Sequence, residues 1–220
     1  MKLKIILTGA TGMVGEGVLH ECLQDPDVEN VLSVSRRASG IEHPKLKEVL
    51  VPDFFDLSAI GDQLSGYNAC LFCLGVSSIG MKEPEFFKFT HELTLNFAQT
   101  VVRHNSDMVF CYISGTGTDS TEKGRLMWAR VKGKTENDLM KLPFKAVYNF
   151  RPGFMKPTPG LKRTLKAYKY MGWLFPVIRL LMPDKLSTLR QVGLAMINAA
   201  KGGYEKNIIE VRDIKILAGR

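Results

Sequence analysis

A glycine-rich turn near the start of the chain constrains the fold more than any other feature. Three glycines recur at three-residue spacing between an apolar run at residues 2–7 and a stretch with helical apolar spacing at 13–23. A strand, a tight turn and a helix start in this order are typical of the first βα unit of a dinucleotide-binding sheet. The backbone N–H groups of such a turn bind a diphosphate, which approaches closely where no Cβ blocks it. The predicted diphosphate contacts are Gly9, Thr11, Gly12, Met13, Val14 and Gly15.

Further apolar runs alternate with helical patterns over the next part of the chain. The predicted strands are 2–7, 31–35, 47–51, 69–74, 108–114 and 145–150, and the predicted helices are 13–23, 57–64, 83–104 and 126–140. The strands are continuous apolar runs, which indicates burial on both faces of the sheet. We therefore predict an α/β fold with a doubly wound parallel sheet, the Rossmann fold.

The pattern changes after residue 153. A proline-containing loop is followed by a basic helix, an apolar stretch at 173–182, a helix at 187–200 and a short edge strand at 207–211. Segments after the late strands of such a sheet usually cover the ligand crevice. We expect a dinucleotide-binding Rossmann core at 1–153, a small helical C-terminal cap on the substrate side at 154–206, and an edge strand and tail at 207–220 that return to the core.

Cysteine spacing and the opening residues bear on the class of protein. Cys70 and Cys73 form a C-x-x-C string, but residues three apart on a strand point to opposite faces, so buried free thiols are expected. The four histidines and four cysteines show no metal-ligand spacing, so no metal is expected. No apolar run approaches the ~20 residues of a membrane-spanning helix. The opening residues end at the glycine turn instead of a signal-peptide cleavage region, and we expect a cytoplasmic protein.

The net charge of +8 is concentrated late in the chain. Residues 139–183 contain nine Lys or Arg and no Asp or Glu. This basic segment, with aromatic neighbours, favours an anionic small-molecule substrate, contact with an acidic membrane surface, or a protein partner. An ordinary cap with solvated lysines is the alternative. No recognition motif accompanies the charge, so nucleic-acid binding is not expected.

Two arginines follow the second predicted strand. The string Ser35, Arg36 and Arg37 carries no carboxylate. In dinucleotide folds an acidic residue here binds the ribose 2′-hydroxyl, whereas arginine accommodates a 2′-phosphate. We therefore predict that NADP(H) is favoured over NAD(H), with both guanidinium groups near the phosphate. A solvated basic strand end is the alternative.

The ends of the third and fourth predicted strands supply further contacts. Asp53 follows the third strand, where the adenine amino group would lie, while Asp56 is better placed to cap the helix that begins at 57. The fourth strand ends at Leu74 and Gly75, in a small-residue turn that lets the backbone approach the nicotinamide-side ribose.

Five short motifs together resemble a known family. They are T-G-A-T-G-M-V-G at 8–15, C-L-G at 73–75, S-G at 114–115, V-K-G at 131–133 and R-P-G at 151–153. In this order they resemble the atypical short-chain dehydrogenases/reductases, in the NAD(P)H-binding, epimerase-like branch that includes the Tat-interacting oxidoreductase. The resemblance covers residues 1–155 clearly and the tail loosely. It also places Pro152 and Gly153 in the coenzyme region.

The resemblance implies a catalytic Tyr-x-x-x-Lys pair on the helix after the fifth strand. Lys132 matches the lysine, which implies contact with the nicotinamide ribose, but Trp128 occupies the tyrosine position. Indole N–H has no accessible proton near neutral pH, so Trp128 can stack on a ring but cannot replace the phenol as general acid. Ser114 is the better match for the residue that holds the substrate oxygen, with Thr116 as the second candidate. Substitute acids left open by the sequence are Tyr112, Asp119 and Lys123.

Two functions remain at this point. The first is an oxidoreductase or epimerase-like enzyme acting on a small organic substrate, with weak or unconventional turnover because the tyrosine is missing. The second is a non-catalytic NADP(H)-binding sensor or scaffold that regulates a partner.

Overall fold

The computed structural model describes residues 2–163 and 183–220. The strands are β1 (Leu3–Thr8), β2 (Val28–Ser35), β3 (Leu46–Leu50), β4 (Ala69–Phe72), β5 (Val109–Ile113), β6 (Ala146–Arg151), β7 (Phe154–Lys156), β8 (Leu186–Thr188) and β9 (Ile208–Glu210). The α-helices are α1 (Met13–Gln24), α2 (Glu83–Phe87), α3 (Leu93–His104), α4 (Met127–Leu139), α5 (Leu189–Gly202) and α6 (Val211–Ala218). Short 3₁₀ helices span Ser58–Leu64 and Pro183–Lys185.

Seven strands form one sheet in the order β3-β2-β1-β4-β5-β6-β9, and all pairings are parallel. The prediction of a doubly wound parallel Rossmann sheet is confirmed. The order runs outward from β1 in both directions, so the carboxyl ends of β1 and β4 lie side by side. Ligands bind at such a point in open α/β sheets.

Hydrophobic side chains fill both faces of the sheet. On one face Leu3, Ile5 and Leu7 of β1 pack with α1, α5 and α6. On the other face Ile6 packs with the 3₁₀ helix Ser58–Leu64, α3 and the end of α4. Alternate residues of each strand therefore enter opposite cores, which explains the continuous apolar runs.

The cysteines follow the same alternation. Cys70 belongs to the core on the α3 face, and Cys73 packs against the core on the α1 face. All four cysteines are free thiols, and burial raises the pKa of each.

Two predicted helices differ in detail from the structure. The segment 83–104 is not one uniform helix, because a π-helical turn (Lys88–Glu92) separates α2 from α3. The helix expected at 57–64 is a 3₁₀ helix that begins at Ser58, and the Asp56 carboxylate accepts hydrogen bonds from the Ser58 N–H at 3.1 Å and from its hydroxyl at 2.6 Å.

The C-terminal part closes back onto the core. The edge strand expected at 207–211 is present as β9, which pairs with β6. Helix α6, which was not predicted, follows at once and buries Val211, Ile214 and Leu217 from one face. This three-residue apolar spacing was the available signal.

The segment assigned to the cap divides into two parts. Most of the basic helix predicted from the sequence, and the apolar stretch at 173–182, lie outside the described residues. Helix α5 instead packs on α1, so closely that a Cβ on Gly17 would lie 2.9 Å from the Leu189 Cβ. Among the described residues, no helix is long and apolar enough to cross a membrane.

Candidate functional site

Glycine is needed for different structural reasons at the three positions of the first turn. Gly9 adopts a φ of +74°, and a Cβ there would lie 2.7 Å from the Cys73 carbonyl carbon. A Cβ on Gly15 would lie 2.0 Å from the Gly9 carbonyl oxygen, so the start of α1 can approach the turn only with glycine there. A Cβ on Gly12 would meet nothing closer than 3.4 Å. Packing within the chain therefore explains Gly9 and Gly15, whereas close approach of a ligand would explain Gly12.

The start of α1 offers backbone donors. Gly12 is its N-cap and provides no side-chain cap, and the first bond into the helix runs from the Glu16 N–H to the Gly12 carbonyl at 2.9 Å. The N–H groups of Met13, Val14 and Gly15 precede that bond, so helix geometry gives them no acceptor within α1. They form the kind of positive helix end that binds a phosphate.

The predicted 2′-phosphate residues share a cleft with the turn. A cleft of about 160 Å³ is lined by Gly9, Thr11, Ser35, Arg36, Arg37, Phe54 and Leu74. Both arginines are exposed, and no carboxylate from the described part of the chain lines this cleft. The Ser35 hydroxyl donates to the Arg37 carbonyl oxygen at 2.6 Å, which fixes the turn that carries the guanidinium groups.

A second cleft of about 260 Å³ adjoins the first, because Arg36, Phe54 and Leu74 line both. It also contains the predicted residues Asp53 and Gly75. A Cβ on Gly75 would meet no atom within 4 Å, so its side faces open space. We refer to the two clefts together as the coenzyme cleft.

Aromatic residues that the sequence reasoning missed line the second cleft. Phe55 and Phe89 lie 6.4 Å apart between ring centroids, and the Lys88 Nζ lies 5.5 Å above the Phe55 ring. The Asp53 carboxylate accepts the Phe55 N–H at 2.9 Å, which turns the chain after β3. The π-helical turn brings Lys88 and Phe89 here, and such turns are frequent at functional sites.

The residues that match the Tyr-x-x-x-Lys pair lie one turn apart on α4. The Lys132 Nζ donates a hydrogen bond to the Ser114 carbonyl oxygen. Burial lowers the Lys132 pKa to about 8, although the Glu136 carboxylate acts in the opposite direction. The Trp128 ring lies against the loop after β5, where a Cβ on Gly117 would be 3.2 Å from it. The structure therefore brings both residues to the carboxyl end of β5.

The Ser114 hydroxyl points into the protein. Its Oγ lies 2.5 Å from a Glu136 carboxylate oxygen and 3.0 Å from the Phe150 carbonyl oxygen. The residue is 4% exposed. The Thr116 hydroxyl also donates inward, to the Arg151 carbonyl oxygen at 2.9 Å. In this structure the Ser114 carbonyl, and not its hydroxyl, contacts Lys132.

The other candidate acids are engaged elsewhere. Tyr112 is buried among apolar side chains, and burial raises its pKa. The Asp119 carboxylate accepts the Thr121 hydroxyl at 2.6 Å and the Gly124 N–H at 2.6 Å. These hydrogen bonds, led by that from Thr121, lower the Asp119 pKa, so this group holds no proton to donate near neutral pH. Lys123 is exposed on the same loop.

Beneath this end of the sheet lies a buried ion pair that the sequence reasoning also missed. Arg151 and Glu136 form it, and the Ser120 hydroxyl accepts a further bond from Arg151 at 2.6 Å. Pro152 and Gly153 contact the loops next to this ion pair. The Pro152 carbonyl accepts the Thr116 N–H at 3.2 Å. A Cβ on Gly153 would lie 2.1 Å from the Lys185 carbonyl oxygen.

Comparison with curated proteins gives relatives of modest identity. The chain is 29% identical over 161 residues to "Protein fmp52, mitochondrial" of Emericella nidulans, a match that covers 69% of this chain and 66% of that protein. It is 24% identical over 208 residues to "Protein FMP52, mitochondrial" of Chaetomium globosum, covering 89% of this chain and 86% of that protein. The chain therefore spans slightly less than two thirds of the Emericella nidulans protein. No protein-family model matches the chain.

These relatives correct the expected location. Several are named as mitochondrial proteins, so the expectation of a cytoplasmic protein is wrong. That expectation rested on the opening residues. Those residues form β1 of the sheet.

Solved structures resemble the whole architecture. A mutated uronate dehydrogenase superposes with a TM-score of 0.68 at 14% identity, covering 95% of this chain and 74% of that one. The ADP-L-glycero-D-manno-heptose-6-epimerase of Helicobacter pylori gives 0.68 at 13% identity, covering 100% and 81%. WbmF of Bordetella bronchiseptica, solved in complex with NAD+, gives 0.65 at 15% identity, covering 99% and 77%. The chain therefore has the Rossmann fold that these dehydrogenase and epimerase structures share.

Proposed function

We propose that this protein is an NADP(H)-binding oxidoreductase or epimerase-like protein that acts on a small organic substrate. The observation that carries the proposal is the joint position of Arg36 and Arg37 in one cleft with Gly9 and Thr11. A diphosphate on the turn and a phosphorylated ribose on the arginines would then belong to one ligand.

The remaining contacts follow from the coenzyme cleft. The free N–H groups at the start of α1 would bind the diphosphate, and Asp53 with its aromatic neighbours would hold the adenine. At the other end, Lys132 would bind the nicotinamide ribose. The names of the structural neighbours support a dinucleotide coenzyme, since WbmF was solved with NAD+.

Bound NADP(H) would supply hydride exchange with a substrate carbon. In this chain the proton for the substrate oxygen would come from the Lys132 Nζ or from water, because Trp128 has no acidic proton. A pKa of about 8 leaves the Lys132 ammonium mostly protonated at pH 7 and able to release its proton. Without the phenol, we expect turnover to be slower by the roughly 10²–10⁴-fold that general acid catalysis contributes.

Location in mitochondria is part of this proposal. It is supported by the names of the fungal relatives and not by any feature of the described residues.

Calorimetry with NADPH and NADH tests the coenzyme. We expect NADPH to bind at least about tenfold more tightly, since each charge-assisted contact to the phosphate contributes roughly 1.5–3 kcal/mol. Arg36→Asp should remove the preference, whereas Arg212→Asp, an exposed arginine outside the cleft, should leave it unchanged. Equal affinities for the two coenzymes in the wild-type protein would refute the NADP(H) assignment.

A non-catalytic sensor or scaffold is the second candidate. Trp128 and the inward-pointing Ser114 hydroxyl favour it, because neither of the two family positions presents an acidic hydroxyl. A panel of aldehydes, ketones and sugar acids with NADPH separates the candidates. Tight binding with no NADPH oxidation supports the sensor, and oxidation at ordinary enzyme rates excludes it.

A further inference from the structure

A second cavity lies apart from the coenzyme cleft. It has a volume of about 540 Å³ and lies between the loop after β7, the first half of α5 and the end of α6. We call it the basic cavity, defined by Lys156, Thr158, Arg190, Leu194 and Lys215. None of these residues lines the coenzyme cleft.

The charge of the basic cavity has one sign. Lys156, Arg190 and Lys215 line it, and none of its described lining residues is acidic. The Glu21 carboxylate lies 3.9 Å from the Arg190 Nε, and the Arg190 side chain is 73% exposed. That guanidinium therefore keeps donors for another acceptor. The Lys156 and Arg190 cations at one cavity favour an anion.

A threonine hydroxyl in the basic cavity lacks a partner. The Thr158 Oγ1 is shielded from solvent and makes no hydrogen bond within the described parts of the chain. A buried hydroxyl without a partner destabilises the folded state. An acceptor oxygen from a ligand would remove that cost.

Apolar side chains form part of the wall, together with Thr188 and Gln191, whose side chains bond each other's backbone N–H at the start of α5. Pro157, Leu194 and Ala218 lie beside the charged groups. The volume falls within the roughly 300–1,000 Å³ of small-molecule sites, so one small molecule fits it. The ligand therefore needs both an anionic head and an apolar body.

We infer that the basic cavity binds a small molecule consisting of a phosphate monoester head and an apolar body. A phosphate monoester carries a charge of about −1.5 to −2 near neutral pH and has three strong acceptor oxygens. Those oxygens can accept from the Arg190 fork, the Lys156 ammonium and the Thr158 hydroxyl together. This inference does not depend on the proposed coenzyme.

Octyl phosphate, used below its micelle concentration, is the probe for calorimetry on the full chain. We expect saturable binding with one site, at least about tenfold tighter than 1-octanol or inorganic phosphate alone. The double variant Lys156→Glu, Arg190→Glu should weaken it at least about tenfold, whereas Lys47→Glu, Arg103→Glu, two exposed sites elsewhere, should not. The affinity for NADPH should be the same in all of these proteins.

Thr158→Val separates binding from folding. Valine removes the unpartnered hydroxyl at nearly constant shape, so the unliganded variant should be at least as stable as the wild type in urea, while octyl phosphate binds about five- to tenfold more weakly. Unchanged octyl phosphate affinity in this variant or in Lys156→Glu, Arg190→Glu would overturn the inference. So would equal binding of 1-octanol, or binding seen only with phosphatidic acid vesicles.

Discussion

The Arg151 guanidinium donates to both carboxylate oxygens of Glu136, with Nε 3.0 Å from Oε1. Glu136 is fully buried and the Arg151 side chain is 10% exposed. This pair joins the end of β6 to α4, the helix that carries Trp128 and Lys132. The position of the candidate catalytic face therefore depends on a charge pair inside the protein.

Removing one partner of this pair should be strongly destabilising. Glu136→Ala leaves the Arg151 charge largely buried and frees the Ser114 hydroxyl, so we expect a loss of about 3–5 kcal/mol in the free energy of unfolding measured in urea. Glu83→Ala breaks the more exposed Arg130–Glu83 pair and should cost at most about 1 kcal/mol. Similar losses in the two variants would show that the buried pair contributes no more to the free energy of unfolding than the exposed pair does.

Gly15, in the first turn, and Gly75, in the coenzyme cleft, should respond differently to alanine. Gly15→Ala places a Cβ 2.0 Å from the Gly9 carbonyl oxygen, and we expect a loss of about 1–3 kcal/mol in stability. Gly75→Ala meets no atom and should leave unfolding unchanged, but it should weaken NADPH binding because its Cβ enters the cleft. If Gly75→Ala binds NADPH as tightly as the wild type, the coenzyme does not approach this turn.

The depressed Lys132 pKa predicts a pH dependence of stability. Between about pH 8 and 10.5 the unfolded chain holds a proton that folded Lys132 has released, so wild-type stability gains from rising pH in this window. Below pH 8 the buried ammonium opposes folding. We therefore expect Lys132→Met to be more stable than the wild type at pH 7, with the difference shrinking as pH rises from 8 towards 10.5.

Lys134→Met is the control for that series. The hydrogen bond with Asp138 raises the Lys134 pKa, so its contribution to stability is present below the unfolded pKa and disappears as pH rises through the higher folded value. Its effect should be destabilising and constant from pH 7 to 10. Parallel stability curves for the wild type and Lys132→Met would contradict a depressed Lys132 pKa.

Restoring the phenol should increase reduction. Trp128→Tyr puts a hydroxyl one helical turn from Lys132, where a lysine ammonium lowers a phenol pKa, and carbonyl reduction with NADPH should rise by about 10²-fold or more over the wild type. Trp128→Phe, which provides no proton, should not raise it. Brisk wild-type turnover that persists in Lys132→Ala would show that another group supplies the proton.

The spacing of glycines and apolar runs was enough to predict the parallel sheet and its ligand-binding end. Local patterns carry this information because glycine at residue 15 meets a steric demand from residue 9, six positions earlier, and a run buried on both faces is apolar throughout. Short elements give a weaker sequence pattern. The π-helical turn Lys88–Glu92 has five residues and helix α6 has eight, and both were missed.

The chain alone determined which residue types stand at each strand end, including the two arginines after β2 and the tryptophan where a tyrosine was expected. Only the tertiary structure decided what those groups face. The Ser114 hydroxyl turned inward because Glu136 and Arg151, distant in sequence, created a buried charge that needed its hydrogen bond. The direction of a polar side chain depends on partners that only chain folding brings together.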